Sequence, residues 1–326
     1  MSREEIKRSL IQSLGFWISG QELAGSLKIS RAAVWKQVGS LRAKGYEIEA
    51  SRRGYRLVSL PDLICEDLVK AGLETKFVGG TVLSRQTVLS TNAEAKRIAS
   101  SAENGTVVVA EVQTAGRGRM ERSWHSPKGG VWMSVILKPR IPPSFAPRVN
   151  MAAAVAVARA LEGLYGLEVR IKWPNDLLVG GRKVSGILTE IGAEMDLLDY
   201  AVVGIGINAN FNSDLFPEEW KATSISQLLG RDVLRVGLVQ RVLKELEGAC
   251  EEVEASFDRV YEEWMGRSAT LGQRVRIITR SGEFEGCAQA LEADGALVVR
   301  RDDGLLERVL AGDCVHLRPA TVKVEE

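Results

Sequence analysis

The sequence predicts an α+β protein of several domains. Three observations predict it: a basic first stretch with helix-turn-helix spacing, a middle where apolar strand-like runs alternate with an Ala-rich helix, and a tail of short strands and tight turns. With 326 residues, 45% of them hydrophobic, the chain is long enough to bury a sizeable core and to divide into two or three domains.

Residues 1–60 carry 11 Lys/Arg against 5 Asp/Glu, a net of +6 in a chain whose total is only +1. A basic first domain suits a polyanionic partner. Three helices and a hairpin are expected here. Gly20 to Lys28 is a short helix with Leu23, Ala24 and Leu27 on one face, and Ile29 turns the chain. Ser30 caps a second helix in which Val34, Val38 and Leu41 recur at helical spacing, and Gly45 ends it. Tyr46 to Ala50 and Tyr55 to Val58 then flank S-R-R-G as a basic hairpin tip. Together these make a winged helix-turn-helix. Ser30, Arg31, Ala32, Trp35 and Lys36 would face a major groove, with Arg52 and Arg53 of the wing near phosphates, although Trp35 is equally a packing residue on pattern alone.

Pro61 and Asp62 mark a boundary, giving expected domains at 1–62, 63–267 and 268–326. Val149 to Leu164 is apolar on most sides and reads as a helix buried against a sheet. The strands of that sheet are expected at Thr106 to Ala110, Val131 to Leu137, Val169 to Trp173, Val184 to Ile191 and Tyr200 to Ile207. From Leu271, the runs R-V-R-I-I-T, E-F-E-G-C-A-Q-A-L and A-L-V-V-R, with turns at Arg280 to Gly282 and Ala293 to Gly295, suggest a small antiparallel barrel.

Several function classes are excluded. The opening M-S-R-E-E-I-K-R-S-L has no apolar secretory core, and Met151 to Ala158 falls short of the roughly 20 residues a bilayer needs, so a cytoplasmic protein with no membrane partner is expected. Cys65, Cys250, Cys287 and Cys314 have no metal spacing and read as reduced thiols, with no bound metal site. His125 and His316 sit in no nucleophile motif, which leaves charge stabilisation as the available chemistry.

The segment Q-T-A-G-R-G-R at Gln113 to Arg119 follows a strand-like run and sets two arginines between glycines. Gly116 and Gly118 let backbone approach a ligand, while Arg117 and Arg119 offer planar forks to carboxylate or phosphate oxygens. Such a loop suits a lid that orders over an anion. A second block, K-W-P-N-D at Lys172 to Asp176 followed by R-K-V-S-G-I-L at Arg182 to Leu188, adds a lysine after a glycine turn. Joining a carboxylate to the α-phosphate of ATP requires no base, because the acid is already ionised at neutral pH; it requires two anions held in line among cations. Arg117, Arg119, Arg122 and Lys183 are cations of that kind.

These two blocks, with S-T-N at Ser90 to Asn92 and G-I-G-I-N at Gly204 to Asn208, resemble the biotin–protein ligases, and more narrowly the bifunctional bacterial form that is also the biotin operon repressor. The resemblance implies a class II synthetase-like mixed-sheet ligase domain between the winged helix and an SH3-like barrel. It implies biotin and ATP as substrates with Mg²⁺ present, a biotin carboxyl carrier protein domain as acceptor, operator DNA as a second partner, and a ligand-promoted homodimer. By the same resemblance, Ser90, Thr91, Asn92, Gln113, Gly116, Arg117, Gly118, Arg119, Trp124, Lys183 and Gly186 surround biotin. Arg119, Arg122, Asn175, Asp176, Lys183 and Asn208 lie near the nucleotide, and Lys183, Arg117 and Arg119 carry the chemistry. The chain departs from a common form of the motif at Met120-Glu121-Arg122, where many members have another basic residue and a glycine.

Blander readings stand beside these. Ser90 and Thr91 suit a helix cap, Trp173 suits a core, Asp176 suits a turn, and Lys183 suits a solvated hairpin. Gly204 to Ala209 also satisfies a G-x-G-x-x-A dinucleotide pattern, but N-F-N-S-D-L-F-P after it does not open a helix. Two rival functions remain open on the residues alone: a lipoate–protein ligase, which would use the same adenylation logic, and a non-catalytic biotin-sensing DNA-binding regulator.

Overall fold

Serine hydroxyls start both helices of the helix-turn-helix. Ser19 Oγ accepts the Glu22 N–H at 2.9 Å and Ser30 Oγ accepts the Ala33 N–H at 3.1 Å, satisfying donors a helix start leaves free. The computed structural model describes residues 2–194, 197–279 and 281–317. In the first unit, α1 (Ser2–Gln12), β1 (Trp17–Ile18), α2 (Gly20–Ser26), α3 (Arg31–Arg42), β2 (Glu47–Ser51) and β3 (Gly54–Ser59) close over Ile6, Leu10, Leu23, Val34, Val38, Leu41 and Leu57. Helix α2 ends two residues before the expected Lys28, whose φ of 52° makes the turn one residue ahead of Ile29, where the sequence places it. The wing is β2 and β3 in antiparallel register, with β3 central in the sheet order β1-β3-β2.

The second unit comprises α4 (Glu66–Ala71), β4 (Val82–Val88), α5 (Thr91–Ile98), β5 (Thr106–Gln113), β6 (Val131–Leu137), α6 (Ala146–Tyr165), β7 (Arg170–Lys172), β8 (Asp176–Val179), β9 (Arg182–Glu194), β10 (Leu197–Ile207), α7 (Ile225–Leu229), α8 (Arg235–Ala255) and α9 (Asp258–Gly266). Its seven-stranded sheet runs β4-β5-β6-β10-β9-β8-β7, with β4 and β5 parallel and the other pairs antiparallel. Helix α6, buried on most sides as its composition requires, packs with α8. On the other face, Ala95 of α5 and Ala99 at its C-cap meet Val108, Ile136 and Val202. The expected strands are all present; β4, β8 and the long α8 were not among the expected elements, although Val236, Val239, Leu243 and Leu246 recur at helical spacing in α8.

The last unit is a five-stranded antiparallel sheet, order β14-β13-β12-β11-β15, formed by β11 (Arg274–Thr279), β12 (Gly282–Leu291), β13 (Leu297–Arg301), β14 (Leu306–Val309) and β15 (Asp313–His316). Of the two expected turns, Gly295 holds one with φ of 85°; Arg280, in the other, lies outside the described residues, as do 318–326 of the expected third domain.

A buried arginine fastens the link between the first two units. Arg235, 1% exposed at the start of α8, donates from Nε to Asp62 Oδ2 at 2.7 Å and from Nη1 to Glu111 Oε2 at 3.0 Å and Gly130 O at 2.9 Å. Asp62 also accepts from Asn210 Nδ2 at 3.1 Å, and Glu111 from the Ile64 N–H at 2.9 Å. Every charge in this cluster is paired, as burial demands.

Candidate functional site

Strands β9 and β10 run side by side with glycines where a cleft must open. An ideal Cβ on Gly206 would stand 2.6 Å from Trp124 Nε1, one on Gly186 2.8 Å from Trp124 Cζ3, and one on Gly204 2.1 Å from Asn92 Oδ1. Gly204 and Gly206, two apart on one strand, share a face. Their missing side chains admit Trp124 and Asn92 onto the sheet, and the space left beside them is a cleft of about 130 Å³. The G-x-G-x-x-A pattern here is strand β10, so its glycines serve close packing and no helix start follows them.

The cleft brings together Ser90, Thr91, Asn92, Gln113, Arg117, Gly118, Arg119, Arg122, Trp124, Asn175, Asp176, Lys183 and Gly186. At one end is a polar network. Gln113 Oε1 accepts from Thr91 N at 2.7 Å and Oγ1 at 3.0 Å, and its Nε2 donates to Ser126 Oγ at 2.7 Å. Ser134 Oγ donates to Asn92 Oδ1 at 2.6 Å, while Asn92 Nδ2 donates to Leu188 O at 3.2 Å and to Glu190 Oε2 at 3.0 Å. Ser90 does both things expected of it: it lines the cleft and its Oγ accepts the Ala93 N–H at 3.4 Å as the cap of α5. Trp124 forms a wall, edge-on to Trp132 at 6.4 Å; its buried Nε1 has no partner among the described residues.

At the other end are the cations. Gly180 and Gly181, with φ of 57° and 75°, make the two-residue hairpin between β8 and β9, which sets Lys183 opposite Leu178 and Asp176 opposite Gly186. Lys183 Nζ lies 2.6 Å from Asp176 Oδ1 and 4.8 Å from the Trp124 ring centre. Its backbone is pinned by Lys221 and Thr223, at 2.6 and 2.9 Å. Asp176 therefore pairs with a lysine rather than capping a turn. Asn175 is fixed by Nδ2 donating to Ile187 O at 2.6 Å. Arg119 is half-buried, and its Nη1 has no partner among the described residues. Burial pulls its pKa below the usual guanidinium value. A desolvated cation aimed into a cleft calls for an anion. Arg122 is ion-paired with Asp313 of β15.

Two of the expected residues do not line the cleft. Gly116 is buried beside Trp124, whose backbone N–H donates to its carbonyl at 2.9 Å. Asn208 stands behind Lys183, with Nδ2 donating to Thr223 O at 2.9 Å, and so holds the segment that pins the lysine. Trp173 is core, its Nε1 donating to Gly295 O at 3.1 Å. Sequence reasoning missed Ser126 and Ser134, for which there was no signal, and Asp313, which only tertiary folding brings near. The floor glycines were visible as G-x-G within an apolar strand.

The residues expected to face DNA are all exposed: Ser30 at the cap of α3, Arg31, Ala32, Trp35 and Lys36 along that helix, and Arg52 and Arg53 at the wing tip. Trp35, 69% exposed, is no packing residue.

A cleft with a polar hydrogen-bonding end, an aromatic wall and a cluster of cations, set on a mixed sheet behind a winged helix, defines a ligase that activates a carboxylate beside a DNA-binding domain. The chain matches the Biotin/lipoate A/B protein ligase family over residues 82–208, an HTH domain over 3–56 and the Biotin protein ligase C terminal domain over 270–317. It is 40% identical over 313 residues to the Bifunctional ligase/repressor BirA of Bacillus subtilis, covering 93% of this chain and 96% of that one, and 28% identical to the protein of the same name from Escherichia coli, covering 94% of each. Among solved structures it is similar to a biotin protein ligase from Aquifex aeolicus in complex with biotin and ATP, with a TM-score of 0.63, 28% identity, 74% of this chain and 100% of that one. The chain belongs to the biotin–protein ligase family, in its bifunctional ligase/repressor form.

Proposed function

We infer that the protein forms biotinyl-5'-AMP from biotin and ATP, transfers biotin to a lysine of a biotin carboxyl carrier protein domain, and represses transcription through its winged helix. A biotin carboxylate oxygen attacks the α-phosphorus, the bond to the β-phosphate breaks and pyrophosphate leaves; the acceptor amine then attacks the acyl carbon and AMP leaves. The observation that carries this reading is the convergence of Lys183 from strand β9 and Arg117 and Arg119 from the loop after β5 on one cleft, whose far end is the Thr91–Gln113–Ser126 network.

The residues divide the work. The amide and hydroxyls at Gln113, Thr91, Ser90 and Asn92 suit the fixed donors and acceptor of a ureido group, and Trp124 covers the apolar ring. Lys183 and Arg119 hold the carboxylate and the α-phosphate in line and stabilise charge on the phosphorus oxygens. Arg117, exposed on the loop, covers the adenylate, with backbone at Gly116 and Gly118 beside it. Arg122, Asn175 and Asp176 serve the nucleotide side, and Asn208 steadies Lys183 from behind. Mg²⁺ on nucleotides is usually shared between phosphates and one or two carboxylates, and Asp176 is a carboxylate in position to take that part. When bound, the ion adds Lewis-acid stabilisation of phosphate charge. We divide the chain into domains at 1–62, 63–267 and 268–326.

A homodimer fits the sheet, because β8 pairs with β9 only up to Gly186. Beyond it β9 runs on to Glu194 with Ile191 exposed, an edge on which a second chain can add a strand. A two-fold pair then presents two α3 helices to a two-fold operator. A protein that uses both ATP and operator DNA works in the cytoplasm. The described residues contain no helix long and apolar enough to cross a membrane.

The test is Lys183→Ala. It should abolish pyrophosphate release with biotin and ATP while leaving the unfolding midpoint close to wild type; near-normal release refutes the assignment. Radiolabelled biotin against lipoate decides substrate class, and sedimentation with and without both substrates decides the dimer.

A further inference from the structure

Base edges in a major groove differ in what they present. Cytosine and adenine offer an exocyclic amino donor, guanine two acceptors, and thymine an acceptor beside its C5-methyl group. A side chain selects among them by the hydrogen bonds it can complete and the apolar surface it can cover. On α3 the exposed residues of the first two and a half turns are Arg31, Ala32, Trp35, Lys36 and Gly39, with Val34, Val38 and Leu41 turned into the core. None of these exposed side chains accepts a hydrogen bond: they are two cations, an indole and two of the smallest residues. Such a face leaves the amino group of a covered cytosine or adenine without a partner, which costs the desolvation of that group.

Trp35 is the large apolar member of the stripe. It is 69% exposed, and among the described residues nothing stacks on its ring or accepts from its Nε1. Ala32 and Gly39 stand one turn before and after it, so neighbours along the helix do not crowd the ring. An ideal Cβ on Gly39 would meet nothing within 4 Å. Alanine would therefore fit there and hold the helix better, and what glycine adds is room for the backbone to approach another molecule. The charge around it says which: residues 1–60 carry a net of +6, and Arg52 and Arg53 of the wing are exposed. That molecule is a polyanion.

We propose that Trp35 selects thymine in the operator, laying the apolar edge of its ring against the C5-methyl group while Nε1–H donates to O4. Guanine satisfies the donor but gives the ring no methyl to cover, and cytosine gives neither acceptor nor methyl. Arg31 and Lys36, donors on the same stripe, are left to phosphates and guanine. The proposal rests on the repressor reading above and names the base that its reading helix picks out.

The experiment enriches bound duplexes from a randomised pool with the full-length protein in the presence of biotin and ATP. The enriched duplex is then resynthesised with deoxyuridine in place of thymidine at one position at a time, which removes a methyl group and nothing else. Wild type should lose affinity about three- to fivefold at one thymine position in each half-site, the effect of one buried methyl group. Trp35→Ala should bind the thymidine and deoxyuridine duplexes equally and enrich no particular base at that position. Trp35→Phe, which keeps an apolar ring, should keep the methyl preference. At the same position 5-methylcytosine should bind wild type more tightly than cytosine does, and Trp35→Ala should not distinguish the two. Deoxyuridine tolerated by wild type at every position overturns the proposal, and so does a methyl preference that survives Trp35→Ala unchanged. A wild type that enriches no sequence defeats the DNA-reading assignment itself, whereas one that enriches a defined operator and ignores every methyl group defeats only the role of Trp35.

Discussion

Gly206→Ala puts the architecture of the cleft to a quantitative test. The new Cβ would sit 2.6 Å from Trp124 Nε1, 2.8 Å from Cε2 and 3.0 Å from Cζ2. Non-bonded heavy atoms settle near 3.5 Å or beyond, so the indole must withdraw by about 1 Å. It cannot slide along the floor, because the same ring lies over Gly186, where a Cβ would be 2.8 Å away, and meets Trp132 edge-on. Its remaining direction is outward, which shifts the wall of the cleft and the ring face over which Lys183 Nζ sits at 4.8 Å. Overpacking of this kind costs about 1–3 kcal/mol. If the ring's shift is expressed in the site, biotin affinity falls about 5- to 150-fold, at a tenfold change per 1.4 kcal/mol. Calorimetric titration with biotin gives the affinity, and urea unfolding reports any part of the strain that appears as lost stability. A variant within twofold of wild type in affinity and equally stable refutes the claim that this glycine exists to seat Trp124.

Arg235→Met leaves the buried Glu111 carboxylate without its cation and should lower stability by about 3–5 kcal/mol in urea unfolding; a loss under about 1 kcal/mol would show that the Asp62–Arg235–Glu111 cluster is not truly desolvated. Burial, then Lys172 and Lys221, push the His316 pKa down from 6.5 to about 4. Between those values the unfolded chain binds a proton that the folded one refuses, so stability falls as pH drops from 6.5 towards 4. Replacing His316 by Gln, whose amide can still meet Thr270, should flatten that limb of the pH–stability curve, and an unaltered slope would count against it. At the wing, Arg52→Ala and Arg53→Ala should each weaken operator binding about evenly across sequences and reduce the salt slope by about 1; a loss confined to particular operator bases would mean that these arginines read sequence.

Much of this protein was legible in its residues because the signals were local. Period and capping residues marked α2, α3 and α6, alternation and β-branched runs marked β5, β6, β9 and β10, and the Gly-Arg and Lys-Trp-Pro-Asn-Asp blocks named the cations and the loop that bears them. Short-range chemistry is what a sequence writes directly. Tertiary structure decided which groups meet. Asn208 turned out to support Lys183 from behind, Gly204 and Gly206 became the floor beneath Asn92 and Trp124, and the carboxylate paired with Arg122 came from Asp313 in a different domain. Nothing local distinguishes Asp313 from other acidic residues near a strand end. Its pairing depends on two units packing together, and a contact between positions 191 residues apart is fixed by the whole fold rather than by either neighbourhood.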